Sequence, residues 1–231
     1  MNKIKTSIII PLYNEEKRAS PFLSELGNIV KRDWEIIFVN DGSVDNTLNI
    51  LNKFEILNKK IISYRKNRGK GFAVKQGVMA AKGNYILFID ADGSIHPSQI
   101  DNMLYNLKDY PIVVGTRASK KSIIKQNFLR KIIGMAFNSY VNFLYHTNIK
   151  DNLCGFKGFR KEVAKELFNG LISDRWIFDV ELFYKIKKFK IPFYEMPIKW
   201  THKNESKMRF SDPFKIAWQL LLLKIKLGNL K

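Results

Sequence analysis

The sequence predicts an α/β protein: a mostly parallel sheet with helices on both faces. Two observations carry that expectation. Short, continuously apolar runs such as SIII (7–10), EIIFV (35–39) and YILFI (85–89) recur through the first half. Amphipathic stretches of about 10–15 residues separate them, long enough for the crossovers that parallel strands need. A strand apolar on both faces must be covered on both, which points to a doubly wound layer structure with right-handed connections.

The elements follow in order. Ser7–Pro11 reads as a buried strand, and Glu16 to Lys31 as a helix with Phe22, Leu23, Leu26 and Ile29–Val30 apolar. Glu35–Asn40 is a second strand, and Thr47–Leu57 a helix with Ile50, Leu51, Phe54 and Leu57 on one face. Ile61–Tyr64 (strand), Gly71–Lys82 (helix), Tyr85–Asp90 (strand), Pro97–Leu107 (helix) and Ile112–Thr116 (strand) continue the alternation. The second half is less regular. Asn127–Tyr145 is a long helical pattern, Cys154–Arg160 a strand or hairpin edge, Asp179–Lys188 a helix, Phe193–Trp200 a strand region and Pro213–Leu227 a helix.

The chain has 231 residues, with 45% hydrophobic and 13% aromatic content, enough for one large core and against disorder. No linker or repeat divides it, so 1–231 reads as a single domain. The lone cysteine, Cys154, cannot close an internal disulfide and fits a reducing compartment. No secretory signal is visible, since the apolar start stops at Pro11 and Glu15-Glu16 follow. No apolar run approaches the roughly 20 residues that cross a bilayer. The formal charge is +19, from 40 Lys and Arg against 21 Asp and Glu. That surplus suits an anionic partner: nucleic acid, an acidic membrane or phosphorylated small molecules; it is equally what a lysine-rich solvated surface gives.

Ligands of open α/β sheets bind at the carboxyl ends of strands. Four polar loops fall there: Pro11–Glu16, Asn40–Thr47, Asn67–Gly71 and Asp90–Ser94. Asp90-Ala91-Asp92 puts two carboxylates at the mouth of a buried strand, where they repel unless a cation intervenes. Hard Mg2+ or Mn2+ takes such oxygens together with substrate phosphates. An Asx turn with a helix cap before Pro97 would use the same residues. Asp41 can accept hydrogen bonds from a base or ribose, while Ser43 or Asp45 caps the next helix. Arg68 and Lys70 beside Gly69 and Gly71 suit either a phosphate-approaching loop or a simple basic turn.

Together IIIPLYNEE, VNDGSVDNT, NRGKGFAVKQGVMAAKG, LFIDADGS and VVGTR resemble, in order and spacing, the family-two GT-A glycosyltransferases. Within that family DNLCGFKGFR, DRWIFDVELFYKIKKFKIPFYEMPIKW and ESKMRF are similar to the polyprenyl-phosphate sugar transferases, the dolichyl-phosphate glucosyltransferases above all. The resemblance implies a GT-A, Rossmann-like fold, with 1–118 as the nucleotide-sugar half and 119–231 as the acceptor half. It implies that Pro11, Tyr13, Glu15 and Asp41 line the nucleoside pocket and that Lys70 lies near the nucleotide. Asp90, Ala91 and Asp92 would be the DxD step, with Asp90 and Asp92 holding Mg2+ or Mn2+ and Ser94 a third candidate ligand. Arg117 and Lys207 would neutralise donor diphosphate or acceptor phosphate, and Arg130 would assist at the acceptor. The membrane-spanning segment that many members carry at one end is absent from this sequence, which leaves the mode of membrane attachment open.

The implied reaction is an inverting displacement by a lipid-linked phosphate on a nucleotide-sugar donor, UDP-glucose favoured, at the cytoplasmic face of a membrane. Metal and cations at the leaving diphosphate lower its barrier. GDP-mannose as donor, and a glycan as acceptor, are the alternatives within the class. A sugar hydroxyl would need a carboxylate base, for which Asp179 and Glu181 are candidates; a helix-start ion pair is their other reading. Phe128–Tyr145 and the tail around Trp218 mix basic, aromatic and apolar residues, which suits a peripheral membrane surface or a packed helix pair. A nucleotidyltransferase would carry a glycine-rich loop where PLYNEE stands. A basic binding module has no use for the acidic pair, and no nucleic-acid signature is present, so no nucleic-acid partner is expected. Cys154, His96, His146 and His202 show no ligand or nucleophile spacing.

Overall fold

The computed structural model describes residues 3–125, 128–147, 149–201 and 212–228, with backbone alone at 125, 128–131, 133 and 212–215. Its centre is a seven-stranded sheet in the order β3-β2-β1-β4-β7-β5-β8. The strands are β1 (Thr6–Leu12), β2 (Trp34–Asn40), β3 (Lys59–Ser63), β4 (Tyr85–Ile89), β5 (Ile112–Thr116), β7 (Phe156–Arg160) and β8 (Phe193–Pro197). A small parallel pair, β6 (Ile123–Lys125) and β9 (Lys199–Thr201), stands apart from it. The helices are α1 (Glu16–Gly27), α2 (Thr47–Lys53), α3 (Lys70–Ala80), α4 (Ile100–Asn106), α5 (Phe128–Tyr145), α6 (Lys161–Asn169), α7 (Phe178–Lys188) and α8 (Asp212–Gly228).

The apolar runs become strands because alternate residues enter two separate cores. Ile8, Ile10, Ile36, Phe38, Leu87 and Ile89 face the layer that holds Phe22, Leu26 and Met103. Ile9, Ile37, Val39, Ile86 and Phe88 face the layer that holds Val74, Phe168 and Phe178. Burying each such side chain contributes about 1.5–3 kcal/mol, so neither face tolerates a register slip.

Cys154–Arg160 departs from the expectation of an edge. A strand does form, over Phe156–Arg160 as β7, but inserted between β4 and β5 and antiparallel to both. Running against its neighbours, β7 begins where β4 ends, with Phe156 paired to Ile89. The preceding segment, Asp151–Gly155, is thereby delivered to the carboxyl edge. β7 and β8, both from 119–231, complete the sheet begun by 1–118. The predicted 193–200 strand divides into β8 and β9, and α6 was not foreseen.

α5 and α8 pack together through Val141, Leu144, Tyr145, Leu220 and Leu223. Their other sides leave Met135, Phe143, Trp218 and Ile225 exposed by 60%, 75%, 63% and 64%. Among the described residues no helix is long and apolar enough to cross a membrane.

Candidate active site

β1 is flanked by β2 on one side and β4 on the other, so the chain reverses its winding direction between β1 and β4. That switch point is where a crevice opens above a doubly wound sheet. The loops after β1 and β2 are joined there. The Asn14 amide donates to Ser43 Oγ at 3.0 Å, the Val44 amide to Asn14 Oδ1 at 2.9 Å, and the Glu15 amide to Thr47 Oγ1 at 2.8 Å. Asp45 accepts the Thr47 amide at 3.0 Å at the start of α2, whereas Ser43 serves the neighbouring loop. Tyr13 is 37% exposed at this edge, Pro11 is partly buried, and Glu15 holds Arg18 through both oxygens.

Asp41 has a different setting from the one its position suggested. It is 3% exposed and its carboxylate accepts from Asn67 Nδ2 at 2.7 Å and from the Arg68 and Gly69 amides at 2.8 and 2.9 Å. A carboxylate has about four acceptor sites, so most of its capacity goes to shaping the 67–69 loop. Gly69 takes φ +108 there, and a Cβ would lie 2.5 Å from the Asp174 carbonyl oxygen. The loop thus sits directly on the 173–176 segment. Arg68 turns outward, over Phe72 at 4.0 Å and toward Asp174 at 3.5 Å. Lys70 turns inward.

Lys70 Nζ lies 2.6 Å from Asp90 Oδ1 and 2.8 Å from Oδ2. Burial pushes the Lys70 ammonium down, but Asp90, Asp179 and Asp92 outweigh it and raise its pKa. Burial, with help from Asp92, raises the Asp90 carboxyl against the pull of Lys70. Asp90 rests on Gly155: its amide donates to the Gly155 carbonyl at 3.1 Å, and a Cβ on Gly155 would be 1.8 Å from Asp90 Oδ2. Ala91 is buried. Asp92 Oδ1 accepts the Ser94 amide at 2.8 Å, an Asx turn, and the Ser94 carbonyl accepts from Thr201. The cap before Pro97 belongs to His96, whose Nδ1 accepts the Ser98 amide at 3.1 Å, so the acidic pair is not used there.

Arg117 is clamped by Asp151: its Nε and an Nη donate to the two carboxylate oxygens at 2.7 Å each, and its amide adds a third bond at 2.9 Å. Burial pushes the Asp151 carboxyl up, yet the Arg117 guanidinium outweighs burial and holds it below the usual carboxylate range. The Trp200 ring lies 5.4 Å from the guanidinium. Asp179 is 2% exposed, with Oδ1 accepting from Lys157 Nζ at 2.6 Å. Lys157 is fully buried, between the Phe88 and Phe183 rings, and also donates to the Cys154 carbonyl. Glu181 is fully buried, accepts the Ile172 and Ser173 amides and pairs with Lys185 at 2.6 Å. Both candidate bases are therefore engaged in ion pairs. Arg130 lies on α5 where the backbone alone is described, and Lys207 and His202 lie outside the described residues.

Asp151, Gly155 and Lys157 were not singled out from the sequence. Their signal was the antiparallel course of β7, which periodicity does not reveal. Among the described residues no group of three or more acidic, histidine or cysteine side chains converges closely enough to hold a metal ion by itself. Asp90 and Asp92 nevertheless fit Mg2+ or Mn2+, hard ions held by one or two carboxylates with phosphate and water completing the shell.

The fold is of the GT-A type, and the chain belongs to glycosyl transferase family 2, whose profile matches residues 7–168. Over 240 residues it is 34% identical to the dolichyl-phosphate beta-glucosyltransferase of Dictyostelium discoideum, covering 95% of this chain and 72% of that one. It is 36% identical to the Homo sapiens protein of the same name over 242 residues, covering 95% and 75%. The fold is shared with the glucosyl-3-phosphoglycerate synthase of Mycobacterium tuberculosis, crystallised with Mn2+, UDP and glucosyl-3-phosphoglycerate: TM-score 0.71 at 16% identity, over 95% of this chain and 79% of that one.

Proposed function

We propose that this glycosyltransferase moves glucose from UDP-glucose to a polyprenyl phosphate of the dolichyl type. In this reading a phosphate oxygen of the lipid forms a bond to the anomeric carbon as the bond from that carbon to the diphosphate breaks. The configuration inverts, and the nucleoside diphosphate leaves with the electron pair. Residues 1–118 take the donor, with Pro11, Tyr13, Glu15 and Asp41 around the nucleoside; residues 119–231 take the acceptor. Asp90 and Asp92 would hold Mg2+ or Mn2+, with Ser94 the third candidate, and the ion would offset charge on the leaving diphosphate. Lys70 serves the donor diphosphate. Arg117, held in place by Asp151, meets phosphate with the fork of donors suited to it; Lys207 and Arg130 add positive charge.

The observation that carries a phosphate acceptor is the engagement of both candidate bases, Asp179 by Lys157 and Glu181 by Lys185. A phosphate monoester is already ionised near neutral pH and needs no base, whereas a sugar hydroxyl does. The names of the relatives point the same way. The lipid reading gains support from the exposed apolar sides of α5 and α8, which carry exposed Lys224 and Lys226. In this reading the surface rests on an acidic membrane interface, at the cytoplasmic face. Asn138 of α5 also accepts the Asn152 amide and donates to the Ile149 and Lys150 carbonyls, tying that helix to the loop that clamps Arg117.

Calorimetric titration with UDP-glucose, GDP-mannose and UDP-N-acetylglucosamine, each with and without Mn2+, tests the donor. Metal-dependent binding of UDP-glucose alone is expected; preference for GDP-mannose overturns the sugar assignment.

A further inference from the structure

The ammonium of Lys70 occupies both oxygens of Asp90, at 2.6 and 2.8 Å. On the other side the carboxylate has no room, because a Cβ at position 155 would already collide with Oδ2 at 1.8 Å. Asp90 is thus held between a backbone wall and a cation, while 32% of its side chain still reaches solvent. Asp92 keeps one oxygen on the Ser94 amide. A divalent ion reaching this pair meets a like charge at contact distance, and only one carboxylate not already paired with a cation. Lys70 itself can move. It is the first residue of α3, its side chain is a flexible four-carbon stem with a point charge, and 13% of that side chain reaches solvent. Its neighbour Trp176, 5.7 Å from the ammonium and 47% exposed, lies at the open side of the crevice.

We propose that Lys70 is a built-in competitor for the divalent cation at Asp90, drawn off by the diphosphate of an incoming donor, so that donor and metal bind interdependently. The inference rests on the reading of Asp90 and Asp92 as the cation-holding pair. In the absence of donor the lysine supplies the positive charge that Asp90 requires. Once a diphosphate is present, the same ammonium has a better partner and the carboxylate passes to the metal. Coupling of this kind is reciprocal: whatever factor UDP adds to the metal's affinity, the metal adds to that of UDP. Free enzyme would then hold almost no metal at concentrations that saturate the donor complex.

The test uses Mn2+ alone and Mn2+ with UDP, titrated into the full chain while free Mn2+ is followed by electron paramagnetic resonance. Lys70→Met and Lys70→Gln remove the charge; Lys70→Arg keeps it. The neutral variants are expected to bind Mn2+ without UDP about tenfold tighter than wild type, or more. The enhancement by UDP should shrink by a similar factor. Mn2+ alone should raise the melting temperature of Lys70→Met or Lys70→Gln while barely moving wild type, since the ion restores the missing partner of Asp90. Lys70→Arg, which keeps the charge, should bind Mn2+ alone no tighter than wild type. Unchanged or weaker Mn2+ binding by both neutral variants, with UDP still recruiting Mn2+ to wild type, overturns the competition and leaves the cation pair standing. Absence of Mn2+ binding in every variant, with UDP present, overturns the cation pair and the competition together.

Discussion

Gly155→Ala isolates the geometry on which the account depends. The new Cβ would lie 1.8 Å from Asp90 Oδ2, 2.4 Å from Cγ and 2.8 Å from Oδ1. Ordinary contact begins at 3.4 Å, so something must shift by about 1.6 Å (3.4 − 1.8). The backbone at 155 resists, because its carbonyl accepts the Asp90 amide and the next residue is in register with Ile89. The carboxylate must therefore swing away, and the Lys70 pair goes with it. Overpacking of this kind costs about 1–3 kcal/mol, or roughly 2–4 °C of melting temperature per kcal/mol at this size. A misplacement of about 1 Å at a reacting centre can cost on the order of 10²-fold in rate. The assay is kcat/KM for glucose transfer beside a melting curve. Gly134→Ala is the control: it lies in α5 with nothing within 4 Å of a built Cβ. It should keep its activity and melt at the same or a higher temperature. A Gly155→Ala enzyme within about threefold of wild-type kcat/KM would refute the claim that Asp90 is positioned against that glycine.

Other outcomes follow from the same contacts. Asp92→Ala should abolish transfer while circular dichroism and melting temperature stay at wild-type values; near-normal activity removes Asp92 from the metal. Lys157→Met strands Asp179 as a buried carboxylate and should cost about 3–5 kcal/mol in urea unfolding, and a loss under about 1 kcal/mol would show that the pair is not what secures α7 to the sheet. Asp151 has its folded pKa below the unfolded value of about 3.9, so its contribution is complete above that pH and is lost as pH falls through the folded value. The melting-temperature advantage of wild type over Asp151→Asn should therefore be full near neutral pH and fade below about pH 4; a gap that widens on acidification contradicts the sign.

The parallel half of the fold was legible because β1, β2, β4 and β5 are apolar on both faces and the stretches between them are long enough for crossover helices; α1 adds a clear helical periodicity, whereas α3 has almost none. The four polar loops were legible for the same reason: strand ends in such a sheet predict where polar residues converge. What escaped was set by tertiary pairing. CGFKGFR has neither strict alternation nor an apolar run, since Lys157 stands at its centre as a buried cation, so its place inside the sheet was hidden. With β7 misplaced, Gly155 beneath Asp90 and Asp151 behind Arg117 could not be seen. Asp41 illustrates the converse. Its location at a strand end was read correctly, but which atoms would claim its oxygens depended on a loop 26 residues away. For Asp90 and Asp92 the competing reading as a helix cap was separable only once His96 was found in that role.

The most direct test of the central claim is a transfer assay with labelled UDP-glucose, Mn2+ and a polyprenyl phosphate in detergent, with Asp92→Ala as the blank. The account predicts a metal-dependent lipid product carrying one glucose per phosphate, absent from the blank and from reactions given the corresponding free polyprenol. Glucose transfer to the polyprenol or to a glycan but not to the lipid phosphate, or mannose transfer from GDP-mannose in its place, would contradict it.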